Sequence, residues 1–134
     1  MFNGPKYIKF KKTKKGNLKK LEFKANKLQF GTIGLKAAES GIISAKQIET
    51  ARQAITRKIK RKGKVWIRIF PYLPITSKPT GIRMGKGKGN FSHWGSRVKS
   101  GNVLFEICGI NPDNIIKALK TGGAKLPIKT KIFH

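Results

Sequence analysis

The chain has 134 residues, the usual size of one domain, and 38% of them are hydrophobic, enough for a small core. Its 31 Lys and Arg against 5 Asp and Glu leave a formal net charge of +26, a self-repulsion best relieved by a polyanionic partner. One cysteine allows neither an intrachain disulfide nor a cysteine-cluster metal site, no apolar run reaches the roughly 18 residues of a membrane span, and five carboxylates are poor material for acid–base catalysis.

Lysines outnumber arginines 25 to 6, so phosphate contacts fall mostly to point charges rather than planar forks. Nucleic acid is the natural partner, and an anionic membrane surface is its competitor. The Lys- and Ile-rich composition also fits an AT-rich gene, such as an organellar one.

Residues 1–20 hold Lys6, Lys9, Lys11, Lys12, Lys14, Lys15, Lys19 and Lys20, with Tyr7 and Phe10 between them. The opening "MFNGPKYIKFKK" lacks the apolar core of a secretory signal and does not suggest a cleaved transit helix, so it reads as mature protein. So charged a segment cannot order itself by burial; it is a solvated tail or an arm that orders on RNA. The aromatic rings favour the arm, because bases stack on them.

Leu21, Phe23, Leu28, Phe30 and Ile33 alternate with polar residues up to residue 37, interrupted by Gly31 and Gly34. This predicts short strands, with room for a hairpin. In "SAKQIETARQAITRKIKRKG", Ser44 and Gln47 form a capping-box start, and Ile48, Ala51, Ile55 and Ile59 share one helix face. Gly63 is the expected stop, and Arg57, Lys58, Lys60, Arg61 and Lys62 crowd the end, where the helix dipole favours cations and RNA can be met.

"KVWIRIFP" alternates Val65, Ile67 and Ile69 against Trp66, Arg68 and Phe70, predicting a strand closed by Pro71 and Pro74. "NVLFEI" predicts another, followed by Cys108 as a buried structural thiol. Asn111 and Pro112 open a short helix with Ile115, Ile116 and Leu119 on its apolar side and Gly122–Gly123 at its close. A last strand covers "LPIKTKIF". The elements describe an α+β fold: a largely antiparallel sheet packed with two helices, a basic N-terminal arm and a long glycine-rich basic loop. The arm spans 1–20, and a single domain spans 21–134, with the extended loop at 76–95.

Catalytic and metal chemistry find no footing. Glu22, Glu39, Glu49, Glu106 and Asp113 are isolated in sequence, His93 has no partner at ligand spacing, and no serine stands in a nucleophile elbow. No enzyme activity, cofactor or small-molecule substrate is expected. The stretch "KPTGIRMGKGKGN" is not a nucleotide cradle either. Gly81 and Gly85 enclose three residues instead of four, Lys86 precedes Gly87 rather than Ser or Thr, and no periodic helix follows. Alternating glycine and lysine instead lets a backbone approach another closely while cations face phosphates, the plain alternative being a flexible charged loop.

The stretch "RQAITRKIKRKGKVWIRIFPYLPITSKPTGIRMGKGKGN" resembles the signature region of the bacterial-type large-subunit ribosomal protein L-sixteen family. "FGTIGLKAAESGIISAKQIE", "PKYIKFKKTKKG", "GNVLFEICGI" and "AKLPIKTKI" extend the resemblance over nearly the whole chain. It implies a component of the large ribosomal subunit whose partners are large-subunit rRNA, tRNA near the peptidyl transferase centre and neighbouring ribosomal proteins, without a membrane. It also implies support of late subunit assembly. The expected rRNA-binding residues are Lys6, Lys9, Lys11, Lys12, Lys14, Lys15, Arg57, Lys58, Arg61, Lys62 and Arg68, beside Trp66 in the helix–strand core. The expected tRNA and rRNA loop holds Lys78, Arg83, Met84, Gly85, Lys86, Gly87, Lys88 and Gly89; Arg83 occupies a position hydroxylated in some bacterial members. Two stretches depart from the family pattern: "NLKKLEFKANKLQF" lacks the usual glycine-rich, arginine-bearing run, and "WGSRVKSG" is less apolar than its counterpart. These departures and the lysine excess point to an organellar member, mitochondrial ahead of plastid or bacterial cytoplasm.

Overall fold

Ser44 starts the first helix as its sequence prescribes. Its hydroxyl accepts the Gln47 N–H at 3.2 Å, and the Gln47 side chain accepts the Ser44 N–H at 2.9 Å, so two otherwise orphaned donors are satisfied. The protein's structure is a computed structural model that describes residues 4–7, 9, 10, 12–18 and 20–134. Helix α1 runs Ala45–Lys58 and buries Ile48, Ala51 and Ile55, with Ile59 buried just beyond.

The end of α1 differs from expectation. Lys60 donates to Arg57 O and Arg61 to Thr56 O, both at 3.1 Å, the paired bonds of a Schellman ending. Lys60 (φ 53°) therefore occupies the left-handed position that glycine usually takes, and Arg61 (φ 60°) is left-handed too. Gly63 serves the next turn, where a Cβ would lie 2.5 Å from Cys108 O.

Helix α2, Pro112–Gly123, has Asn111 as N-cap and Pro at its start, and buries Ile115, Ala118 and Leu119. Gly122 and Gly123 do not end it by turning the chain; both lie in its last turn and are buried. A Cβ on Gly122 would lie 2.5 Å from Ile55 Cγ1, so this glycine lets the two helices touch.

Among the described residues, seven strands divide into two antiparallel sheets rather than one. Strands β1 (Ile33–Ala37), β3 (Lys64–Ile67), β6 (Val103–Cys108) and β7 (Thr130–Phe133) line up as β3-β6-β1-β7, and β2 (Gly41–Ser44), β4 (Leu73–Ser77) and β5 (Asn90–Val98) as β2-β5-β4. Helices, Leu35, Phe105 and Ile107 of the first sheet, and Ile43 and Val98 of the second share one core. Val65 packs against it and Ile69 is buried, while Ile67, closing an edge strand, stays 38% exposed. Cys108 is half-buried with a free thiol.

Two sequence expectations change. Pro74 does not stop a strand but sits inside β4, which an edge position allows because no ladder bond depends on its missing N–H. The connection after β4 consequently covers 78–89, shorter than 76–95 at both ends. The alternation in 21–32 forms neither strand nor hairpin. This segment covers the second face of the first sheet: Val103 donates to Ala25 O at 2.9 Å, Leu28 touches Gly34, and the Phe30 ring stacks on Trp66 at 6.0 Å. That cover leaves residues 103–107 of β6 buried on both faces.

Candidate nucleic-acid interface

Three basic segments identified in the sequence present their cations to solvent. In the first, Lys6, Lys9, Lys12, Lys14 and Lys15 are exposed, and Lys11 lies outside the described residues. Among the described residues before Ile33 there is no helix or strand, yet the arm is seated on the second sheet. The Arg97 guanidinium of β5 donates to Lys14 O, and Gly4 abuts the Trp94 ring so closely that a Cβ would lie 2.4 Å from its Cγ.

The second segment is the loop 78–89. Gly81, Gly85 and Gly87 adopt φ of 87°, 97° and 82° with nothing within 4 Å of a built Cβ. Conformation rather than crowding thus demands glycine there. Lys86, between two of them, is left-handed at φ 52°, and Met84 is 97% exposed. Arg83 and Lys88 are exposed, and Lys78 donates to Gly85 O, drawing the loop back on itself.

Arm and loop meet through a reciprocal pair. Lys12 Nζ donates to Lys88 O at 3.0 Å, and Lys88 Nζ donates to Thr13 O at 2.6 Å. Two ammonium groups therefore rest on neutral carbonyls, acceptors that a phosphate oxygen outcompetes because it adds a full negative charge to the hydrogen bond.

The third segment is the end of α1. Arg57, Lys58, Lys60, Arg61 and Lys62 are exposed, and Lys58, Lys60 and Lys62 border a cleft shared with Ile110 and Asn114. The left-handed pair Lys60–Arg61 holds two cations on strained backbone, a cost that functional sites often carry.

Arg68, expected as an RNA contact, is engaged within the fold. Its side chain is 12% exposed and donates to Glu106, which is fully buried. The Glu106 carboxylate also accepts the N–H groups of Phe30 at 2.7 Å, Gly31 at 2.8 Å and Gln29 at 3.2 Å. Burial pushes this carboxyl's pKa up, but the Phe30 and Gly31 N–H groups, Arg68 and the Gln29 N–H outweigh it and hold the value below the ordinary one. Glu106, taken in sequence as isolated, is the anion that anchors the cover segment. A lone carboxylate inside the apolar run "VLFEI" was the available signal. Arg97 and Phe91, absent from the expected set, also stand at this surface; only three-dimensional pairing brings them there.

Among the described residues no group of His, Cys, Asp and Glu is arranged to hold a metal, and no helix is long and apolar enough to cross a membrane.

The profile of the family described as ribosomal protein L16p/L10e matches residues 5–133. The large ribosomal subunit protein uL16 of Bartonella henselae is 54% identical over 130 residues, covering 97% of this chain and 95% of the relative. Those of Chelativorans sp. and Gluconobacter oxydans are 52% and 54% identical over the same length, covering 95% and 94% of the relatives.

Proposed function

This chain belongs to the ribosomal protein L16p/L10e family, and from that we propose that it is a structural constituent of the large ribosomal subunit, a non-enzymatic component that binds large-subunit rRNA. The observation that carries the RNA reading is the lysine exchange between arm and loop, at Lys12–Lys88 and Lys88–Thr13. It gathers two cation-dense segments of a +26 chain into one surface with carbonyls standing where phosphates would bind.

Within this reading the arm residues Lys6, Lys9, Lys11, Lys12, Lys14 and Lys15 and the α1 residues Arg57, Lys58, Arg61 and Lys62 are rRNA contacts. The loop from Lys78 to Gly89, with Arg83, Met84, Lys86 and Lys88 outermost, reaches rRNA and tRNA near the peptidyl transferase centre. The protein supports late assembly by neutralising RNA helices that close there, and neighbouring ribosomal proteins complete its surroundings. Lysine richness favours a mitochondrial ribosome, whereas the relatives named above are bacterial and agree with bacterial cytoplasm.

Sucrose-gradient fractionation of a lysate tests the assignment. The protein should sediment with large subunits at high magnesium and stay with them through a moderate salt wash. Recovery only in the ribosome-free fractions would overturn it. Fractionating organelles first decides the compartment.

A further inference from the structure

Each half of β5 has a neighbour on one side only, the two meeting at Gly95. Strand β2 pairs with it from Gly95 to Val98 and then turns into α1 at Ser44, while β4 pairs along the opposite edge from Asn90 to Gly95. Residues 91–94 therefore face the first turns of α1 across a groove of about 570 Å³. The size falls within the range of small-ligand sites.

A bulge shapes its aromatic wall. His93 pairs with Ile75 and Phe91 with Thr76, leaving Ser92 unopposed. In a regular strand residues 91 and 94 point to opposite faces. The extra residue turns Phe91 to the side of Trp94, and their ring centroids stand 5.1 Å apart at 58°. Gly4 braces Trp94, and Phe91 remains 38% exposed. On the helix side Glu49 accepts Arg52 at 2.6 and 3.0 Å and Gln53 Nε2 at 3.2 Å, so its charge is already compensated. Lys46 lines the same groove and is exposed.

We propose that this groove receives one unpaired nucleobase of the bound RNA, stacked on Phe91, with its edge toward Gln53 and His93 and its phosphate toward Lys46. The inference rests on the RNA-binding reading above and adds a site to it. Two features select a base over an extended peptide. Strand β5 leaves directly from the 78–89 loop, so an RNA strand tracked by Lys86 and Lys88 arrives at Phe91. The chain's +26 charge also recruits a polyanion. Stacking on an aromatic ring needs no sequence match, because every base has a π-face.

Large subunits carrying the wild-type protein, Phe91→Ala or Phe91→Tyr can be probed with dimethyl sulfate and a carbodiimide, which modify exposed base edges. One unpaired nucleotide should become several-fold more reactive with Phe91→Ala and return to the wild-type level with Phe91→Tyr. Unchanged reactivity throughout the rRNA, with all three proteins incorporated, would overturn the proposal. A benzophenone amino acid placed at Phe91 should crosslink to rRNA; a crosslink to protein would assign the groove to a peptide instead. Failure of the wild-type protein itself to enter subunits would refute the ribosomal reading, and this site with it.

Discussion

Arg68 and Glu106 are 38 residues apart in sequence and form an ion pair in which the carboxylate is fully buried. The carboxylate has more partners than the arginine, for it also gathers the N–H groups of Gln29, Phe30 and Gly31. The two ends of the pair should therefore respond unequally to mutation. Glu106→Gln keeps an oxygen for the three backbone N–H groups but turns an amide donor against the Arg68 guanidinium and removes its counter-charge, and should cost about 3 kcal/mol, whereas Arg68→Met leaves a carboxylate that three N–H groups still satisfy and should cost less. Urea unfolding at constant m measures both; equal losses would assign the stabilisation to the ion pair alone.

The same carboxyl makes stability depend on acid. Its pKa in the folded protein is below the ordinary 4.5, so between the two values the unfolded chain binds more protons, and stability rises with pH. The contribution is complete above pH 4.5 and is lost as pH falls through the folded value. Thermal melts in acid should show this loss in the wild type and a flatter profile in Glu106→Gln.

Lys60 holds a left-handed conformation that costs a non-glycine residue about 1 kcal/mol. Lys60→Gly should raise the melting temperature while weakening binding to large-subunit rRNA, since it removes a cation from the end of α1. A variant that melts no higher than wild type would show that the Schellman ending carries no strain there.

Gly122 touches Ile55 where α1 and α2 meet. Alanine gains helix propensity of about 1 kcal/mol but places its Cβ 2.5 Å from a fully buried side chain, and overpacking costs about 1–3 kcal/mol. Gly122→Ala should therefore lower stability, and adding Ile55→Val should recover part of it. Calorimetry of the single and double variants decides.

Lys86→Ala with Lys88→Ala leaves the core untouched, so the melting temperature should stay within a degree or two of wild type, as expected for exposed sites. Binding to rRNA should weaken, and the slope of log K against log salt should flatten by about 0.7–0.9 for each phosphate that is no longer neutralised. An unchanged slope would remove the loop from the RNA interface.

Much of this architecture was legible in local chemistry. The capping box at Ser44, the Asn111–Pro112 start and the apolar faces of both helices depend on neighbours within a turn, which a sequence displays. The strand "NVLFEI" was equally plain, but Glu106 within it was not, because its partners come from residues 29–31 and 68. The alternation in 21–32 misled for a related reason. Leu28 and Phe30 pack against a sheet face while Leu21 and Phe23 stay exposed, and neither placement requires strand pairing. Pro74 misled through position, since nothing local states that β4 is an edge. At the candidate interface the basic segments were visible as composition. The Lys12–Lys88 exchange and the Phe91–Trp94 wall arise from tertiary pairing and a bulge.

Pro74 has a consequence for the protein before it meets RNA. A strand at the border of a sheet is a template on which a second copy can pair, and the danger grows when newly made chains accumulate. In β4 a ring stands where one donor would be, so a foreign strand laid along that border meets a missing rung. The charge of +26 already keeps copies apart at low salt, but its reach shrinks as ions screen it. The proline works at any ionic strength, guarding solubility when electrostatic repulsion is weakest.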